Sequence, residues 1–239
     1  MTVFDIYPSS ENSVLLTWPE KMCPVQHQQI LNISETVKQQ LHEVVFESIV
    51  SYNSLMLYYH FEKITFHQLK QHINEYIEQK RAEEQPLYNT NSLIEIPVYY
   101  GEDAGWDLCA VAKQCQLSTQ QVIKLHSQRV YRAYALGFTP GFCYLGSLDN
   151  KLILNRKTTP RLTVPRGAIA IAEQQTAVYP NESPGGWHII GQTPVPLFDS
   201  NNEQFKPKIT VGQQVKFIEI NEKQFLKISG EQPHLERSN

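Results

Sequence analysis

The sequence predicts an α+β protein: a small α/β sandwich over residues 1–85, a linker at 86–92 and a β-barrel over 93–239. Three observations predict this. Up to about residue 85, apolar residues recur at strand and helix spacings in turn, in the rough order strand, strand, helix, strand, strand, helix. The stretch Glu83 to Ser92, EEQPLYNTNS, is polar and breaks that rhythm. From Arg129 to about Ile220 the chain is short apolar runs between turns, with no room for a helix of ordinary length between Val130 and Phe217. Seven of the 11 glycines lie between Gly137 and Pro194, and none precedes Gly101.

Each element has its own reason. Val14, Leu16 and Trp18 alternate, as in a strand with one buried face. Ile30, Ile33, Val37, Leu41 and Val44 recur at steps of three and four, which marks an amphipathic helix. Val44 to Ser51 and Leu55 to His60 are strand-like runs joined at Tyr52–Asn53–Ser54. Thr65 with Gln68 makes a capping box before Phe66, Leu69, Ile73 and Ile77. Two helices on one face of a mainly antiparallel sheet satisfy this order. Beyond the linker, Ile94, Ile96 and Val98 share one face of a strand from Leu93 to Tyr100. Asp103 is placed to cap a helix carrying Trp106, Leu108, Val111, Ala112 and Cys115. Ser118 with Gln121 caps another, carrying Val122, Ile123 and Leu125. The many short strands that follow suit a closed or nearly closed barrel, which leaves no exposed sheet edge. A last strand is expected at Gln224 to Ile228, before a polar tail.

Composition narrows the function. Hydrophobic residues make up 41% of the 239, enough for a real core, and the formal charge is -3. A nucleic-acid protein usually carries a basic stripe, so none is expected as partner. No apolar run approaches the length that spans a bilayer, so no membrane association is expected. The N-terminus shows no basic region followed by an apolar block. Cys23, Cys109, Cys115 and Cys143 form no CxxC pair, which suits reduced, mostly buried thiols in a cytoplasmic protein. There is no GxxxxGK[ST] or GxGxxG loop, so the chain does not hold a complete nucleotide site by itself. No HExxH or His/Cys clustering points to a metal, and no GxSxG elbow points to a serine hydrolase.

Several residues remain candidates for chemistry. His126, near a helix end, could move protons near neutral pH, or could be a helix-terminal residue favoured by the dipole. Arg161, beside Pro160, and Arg166, beside Pro165, could hold a carboxylate or phosphate through forked hydrogen bonds, or be ordinary surface charge. The run Ser183–Pro184–Gly185–Gly186–Trp187 could form a concavity of backbone amides walled by indole, or a hairpin whose tryptophan plugs the barrel end. Phe138, Pro140, Gly141 and Phe142 could line the same mouth, or the apolar centre of a subunit interface. Tyr179 offers a hydroxyl and a ring, or is a core tyrosine with a wet tip.

Long stretches of the chain resemble one bacterial family. They are VYYGEDAGWDL (Val98 to Leu108), LHSQRVYRAYALGFTPGFCYLGSLD (Leu125 to Asp149), TPRLTVPRGAIAIAEQQTAVYP (Thr159 to Pro180), SPGGWHIIGQTPVPLFD (Ser183 to Asp199) and VGQQVKFIEI (Val211 to Ile220). The family contains the B-type subunit of 5-oxoprolinase, allophanate hydrolase subunit 1 and the sporulation-kinase inhibitor. The resemblance implies a ferredoxin-like N-terminal domain and a cyclophilin-like C-terminal barrel. It implies a non-autonomous subunit of an ATP-dependent 5-oxoprolinase, which opens the lactam of 5-oxo-L-proline to L-glutamate. ATP would be bound jointly with a related second subunit of the allophanate hydrolase subunit 2 type, and a third, LamB/YcsF-like subunit would complete the complex. On this reading His126 transfers protons, and Arg161 with the Gly185–Gly186 amides holds anionic oxygen. Arg166 is a further anion ligand, and Pro165, Pro184, Tyr179 and Trp187 line the groove. The other branches would make the chain a sensor-kinase inhibitor or part of a urea carboxylase/allophanate hydrolase system. The sequence departs from the family pattern at Asn155 (usually proline), Ala168 (serine), Glu173 and Ala177 (glycine) and Gln192 (arginine). The last removes a bidentate anion donor.

Overall fold

The computed structural model describes residues 4–19, 22–82, 92–198 and 206–230. They belong to two compact units, one ending at Thr90 and the other beginning at Asn91. Apart from Ser92, the linker expected at 86–92 lies outside the described residues.

The first unit runs β1 (Asp5–Ser10), β2 (Ser13–Thr17), α1 (Pro24–Gln40), β3 (Val45–Val50), β4 (Ser54–Tyr59) and α2 (Phe66–Ala82). Its sheet has the order β1-β2-β4-β3 and is antiparallel throughout. This is a ferredoxin-like plait whose last strand has moved to the front of the chain. Pro24 opens α1, where its missing N–H costs nothing. The capping box forms as the sequence predicts: Thr65 N–H donates to Gln68 Oε1 at 3.0 Å, and Gln68 N–H to Thr65 Oγ1 at 3.3 Å. Leu16, Leu55 and Leu57 of the sheet pack with Ile30, Leu69 and Ile73 of the helices.

The second unit is a closed barrel with helices outside it. Its strands are β5 (Leu93–Tyr99), β6 (Val130–Leu136), β7 (Cys143–Gly146), β8 (Arg161–Val164), β9 (Ala168–Ala172), β10 (Gln175–Val178), β11 (Ser183–Gly185), β12 (His188–Gln192) and β13 (Gln214–Ile220). Its helices are α3 (Leu108–Gln114), α4 (Thr119–Ser127) and α5 (Glu222–Ser229). The barrel closes in the order β10-β7-β6-β13-β5-β12-β9, while β8 and β11 pair as a separate ribbon. β9 shows how the layers divide. Its sequence AIAIA is buried on both faces: Ile169 and Ile171 join the barrel interior with Ile96, Val98 and Phe217, and the alternate alanines face outward. On that outer face Ala168, Ala170 and Ala177 pack under Phe142, Val164, Tyr179 and Trp187.

Two expected elements differ. Asp103 caps no helix; α3 begins at Leu108, and its N-terminal flanking residue is Asp107, whose side chain makes no capping bond. The strand expected at Gln224 to Ile228 is instead α5. Asn221 and Gln224 exchange capping-box hydrogen bonds of 2.9 Å each way, and Gly230, at φ +72°, ends the helix. The thiols are also less buried than expected: Cys143 is buried, Cys109 is exposed, and Cys23 and Cys115 lie between.

Candidate functional site

Asp107 takes hydrogen bonds from Arg161, Lys157 and the Ile189 N–H, and it explains how the cationic residues stand. Gly105 lets the turn before α3 lie against β12, because a Cβ there would meet the Ile190 carbonyl. Asp107 N–H then donates to the Ile189 carbonyl at 2.7 Å, and Ile189 N–H returns a bond to Asp107 Oδ2 at 2.8 Å. Arg161 grips both carboxylate oxygens, NH1 to Oδ2 at 2.8 Å and NH2 to Oδ1 at 2.9 Å. Lys157 Nζ donates to Oδ1 at 2.8 Å. Burial pushes the Asp107 pKa up, but the bonds from Arg161, Lys157 and Ile189 N–H outweigh it and hold the carboxyl below its ordinary value. One carboxylate therefore anchors two cations, and the node keeps a formal charge of +1.

Aromatic rings frame that node. The Arg161 guanidinium lies 5.4 Å from the Trp106 ring, and the Arg156 guanidinium lies 5.7 Å from the Trp187 ring. Lys157 N–H donates to the Gly186 carbonyl at 2.8 Å, which sets Lys157 beside Trp187. Tyr179 accepts a bond from Trp187 N–H, and burial pushes its pKa up to about 12 despite Arg156 and Arg161 nearby. Arg156 also pairs with Glu173 at 3.3 Å, both side chains being more than half exposed.

The residues expected to form one site do not stand in one place. Arg161 is at this node, but its fork is filled by Asp107, so it does not present the open bidentate donor expected of it. Phe142, Tyr179 and Trp187 are buried and form a layer with Val164 of β8, not the wall of an open groove, and Pro165 is buried beside Val164 in the chain. Phe142 meets Tyr179 and Trp187 edge-on, with ring centres 5.3 and 6.0 Å apart. Gly185 and Gly186 are not among the glycines with left-handed backbone, so they lack the left-handed residue of an αR-αL amide nest. Gly185 pairs with Arg161 in the ribbon, and a Cβ on it would collide with the Tyr179 hydroxyl. Pro140 and Pro184 are exposed, and Gly141 is half-buried at φ +83°. Phe138 is 63% exposed and holds φ +80°, a strained backbone for a bulky residue. Arg166 is exposed, and its carbonyl accepts from Gln192 Nε2 at 2.9 Å, so Gln192 braces that turn from inside.

His126 stands apart from the node. It is fully buried, with Nδ1 2.8 Å from the Tyr100 hydroxyl and Nε2 2.9 Å from Thr176 Oγ1. Thr176 Oγ1 donates onward to the Ala170 carbonyl at 3.0 Å, so it accepts from Nε2–H, and Nδ1 accepts from Tyr100. The ring stacks on Phe217 at 4.6 Å, and burial pushes its pKa from 6.5 down to about 3. A proton-transfer group needs a ring nitrogen that reaches substrate. Here both are satisfied inside the core, so the expected catalytic role gives way to a structural one. Asp107 is not a candidate that the sequence offers. Its only local signal was a second acid, four residues after Asp103, just before an apolar helix.

The family of the chain follows from comparison with known proteins. A model described as the carboxyltransferase domain, subdomain C and D, matches residues 4–208. The B-type subunit of the Haemophilus influenzae 5-oxoprolinase is 36% identical over 214 residues, 90% of this chain and 97% of that protein. The chain belongs to the family of 5-oxoprolinase B-type subunits. A second member, the corresponding 5-oxoprolinase subunit of Bacillus subtilis, is 38% identical over 75% of this chain and 77% of its own length. The crystal structure of TTHA0988 superposes on this member with a TM-score of 0.75 at 31% identity, over 87% of this chain. The chain spans only 40% of TTHA0988. The urea carboxylase of Kluyveromyces lactis, 13% identical, has the same fold over 96% of this chain and 23% of its own, with a TM-score of 0.71.

Proposed function

We propose that this chain is a component of a cytoplasmic, ATP-dependent 5-oxoprolinase and supplies one wall of a site shared with a partner subunit. The observation that carries the reading is the Asp107 node in a member of this family: positive, partly exposed and flanked by the Trp106 indole. The sequence offers no phosphate loop to go with it. Such a node suits an anionic oxygen, from the carboxylate of 5-oxoproline or a phosphate of ATP, and does not suit a whole nucleotide. Opening a stable five-membered lactam in water needs coupling, which phosphoryl transfer to the amide oxygen supplies. The share of this chain is positioning and charge stabilisation at the reacting group. A related second subunit, of the allophanate hydrolase subunit 2 type, contributes the remaining wall, and a LamB/YcsF-like third subunit completes the complex. TTHA0988 carries this fold as 40% of a longer chain, which supports a further folded part working beside it.

The test is ATP-dependent glutamate formation from 5-oxoproline by each subunit alone and by the three together. Glutamate should form only with all three. Full turnover by this chain alone would refute the shared site. A second reading, as a binding protein for a sensor histidine kinase, is favoured by the strained and exposed Phe138. Co-purification of the chain with a kinase, and no lactam opening by the assembled subunits, would select it.

A further inference from the structure

We infer that Lys157, positioned by Asp107, is the cation of this chain that receives the anionic oxygen in the shared site, and that Arg161 is not. The inference rests on the 5-oxoprolinase reading and assigns the anion contact within it. Arg161 has committed both terminal nitrogens to Asp107, its plane lies near Trp106, and only 14% of its side chain is exposed. Its role is to lock the carboxylate and the β8–β11 ribbon together. Lys157 differs on each count. Asp107 takes one of its three donors, and 28% of its side chain is exposed. Its backbone is pinned by the bond from its N–H to the Gly186 carbonyl, so the stem starts from a fixed point. Arg156 is the other cation beside Trp187, but it is more than half exposed and paired with Glu173 at the surface, where screening weakens it.

Asp107 is a positioning residue in this scheme. It stays ionised, cancels the charge of Arg161, and leaves one unit of positive charge on an ammonium at the edge of an aromatic layer. An ammonium is a compact point charge, suited to a single carboxylate or phosphate oxygen rather than to planar two-point recognition.

The experiment uses the assembled subunits with Lys157→Gln, Lys157→Arg and Asp107→Asn, and measures KM for 5-oxoproline and for ATP separately. Lys157→Gln should raise one of the two KM values at least tenfold, and which one identifies the source of the anion. Lys157→Arg should stay within threefold of the parent. Asp107→Asn should move the same KM in the same direction and by a larger factor than kcat, with folding checked by Tm. If Asp107→Asn does not fold, the two Lys157 variants decide. Both KM values within twofold of the parent for Lys157→Gln would overturn the inference, as would weakened subunit assembly with unchanged KM. If the parent complex forms no glutamate, the functional reading fails by itself. Tryptophan fluorescence of the complex titrated with inorganic phosphate then decides. A saturable change weakened at least tenfold in Lys157→Gln sustains the inference, and no change, or the same change in both proteins, overturns it.

Discussion

Two polar nodes of the barrel unit, around His126 and around Asp107, are built by opposite rules. Around His126 every group is neutral, every donor has an acceptor, and a continuous apolar shell closes the ring off. Around Asp107 the groups are charged, the hydrogen bonds are equally complete on the carboxylate, and yet a positive charge is left over at the surface. The first node has no bonding capacity left for a ligand; the second has one ammonium. Burial and a shifted pKa mark both, so neither separates a core group from a site group. The leftover charge does.

Four substitutions or conditions sharpen that contrast, in falling order of effect. Asp107→Ala strips two partly buried cations of their shared counter-ion, and removing one partner of such a pair costs about 3–5 kcal/mol. Urea unfolding of the isolated chain reads this directly, and a loss below about 1 kcal/mol would show that the node is solvated. His126→Ala leaves the Tyr100 and Thr176 hydroxyls short of a partner and opens a cavity beside Phe217, at about 2–4 kcal/mol. That loss should appear in Tm with no specific change in KM.

The two nodes also differ in acid. The unfolded His126 side chain takes up a proton below its ordinary pKa of 6.5, while the folded one resists until about 3. The unfolded state thus binds more protons in that window. His126 alone should lower stability by about 1.4 kcal/mol per pH unit as pH falls from 6.5 towards 3. Asp107 acts only at the acid end: its folded pKa lies below the ordinary carboxylate value of 3.8, so its contribution is present above that value and is lost as pH falls through the folded pKa. Stability measured from pH 7 to pH 4 should therefore flatten in His126→Gln and not in Lys157→Gln. An unchanged slope in His126→Gln would place the acid sensitivity elsewhere.

The smallest effect belongs to an ion pair that is in neither node. Glu173 holds φ +54°, where its family resemblance places glycine, and its bond to Arg156 is surface-exposed. Relief of the left-handed strain outweighs the added freedom of glycine, so Glu173→Gly should raise stability by about 0.5–1 kcal/mol. A fall by that much would mean that the Arg156–Glu173 pair matters more than its exposure implies.

Local signals carried much of the fold from the sequence. The Thr65–Gln68 and Ser118–Gln121 capping boxes formed where their spacing placed them, because such boxes depend on four consecutive residues alone. The alternation in AIAIA survives as two faces of β9. α5 reads as a strand in the sequence because Phe225, Leu226 and Ile228 are too few to fix a period; Asn221 with Gln224, and Gly230 beyond, carry the helical signal. The burial of His126 was half-visible, since it follows Val122 by four positions and so shares its helix face. The Asp107 node was not visible, because its partners Lys157 and Arg161 are 50 and 54 residues away and only the barrel brings them together. The aromatic run after Gly137 suggested a groove, and most of those rings instead turned inward to cover the alanines of β9 and β10.

The most direct test sets the two nodes side by side in the assembled enzyme. Steady-state kinetics of Lys157→Gln and His126→Gln, well below the melting point of each, should show one KM raised at least tenfold for Lys157→Gln. Both KM values should stay within twofold of the parent for His126→Gln. The reverse pattern, with the His126 variant losing substrate and the Lys157 variant unaffected, would contradict the assignment of the site to the Asp107 node.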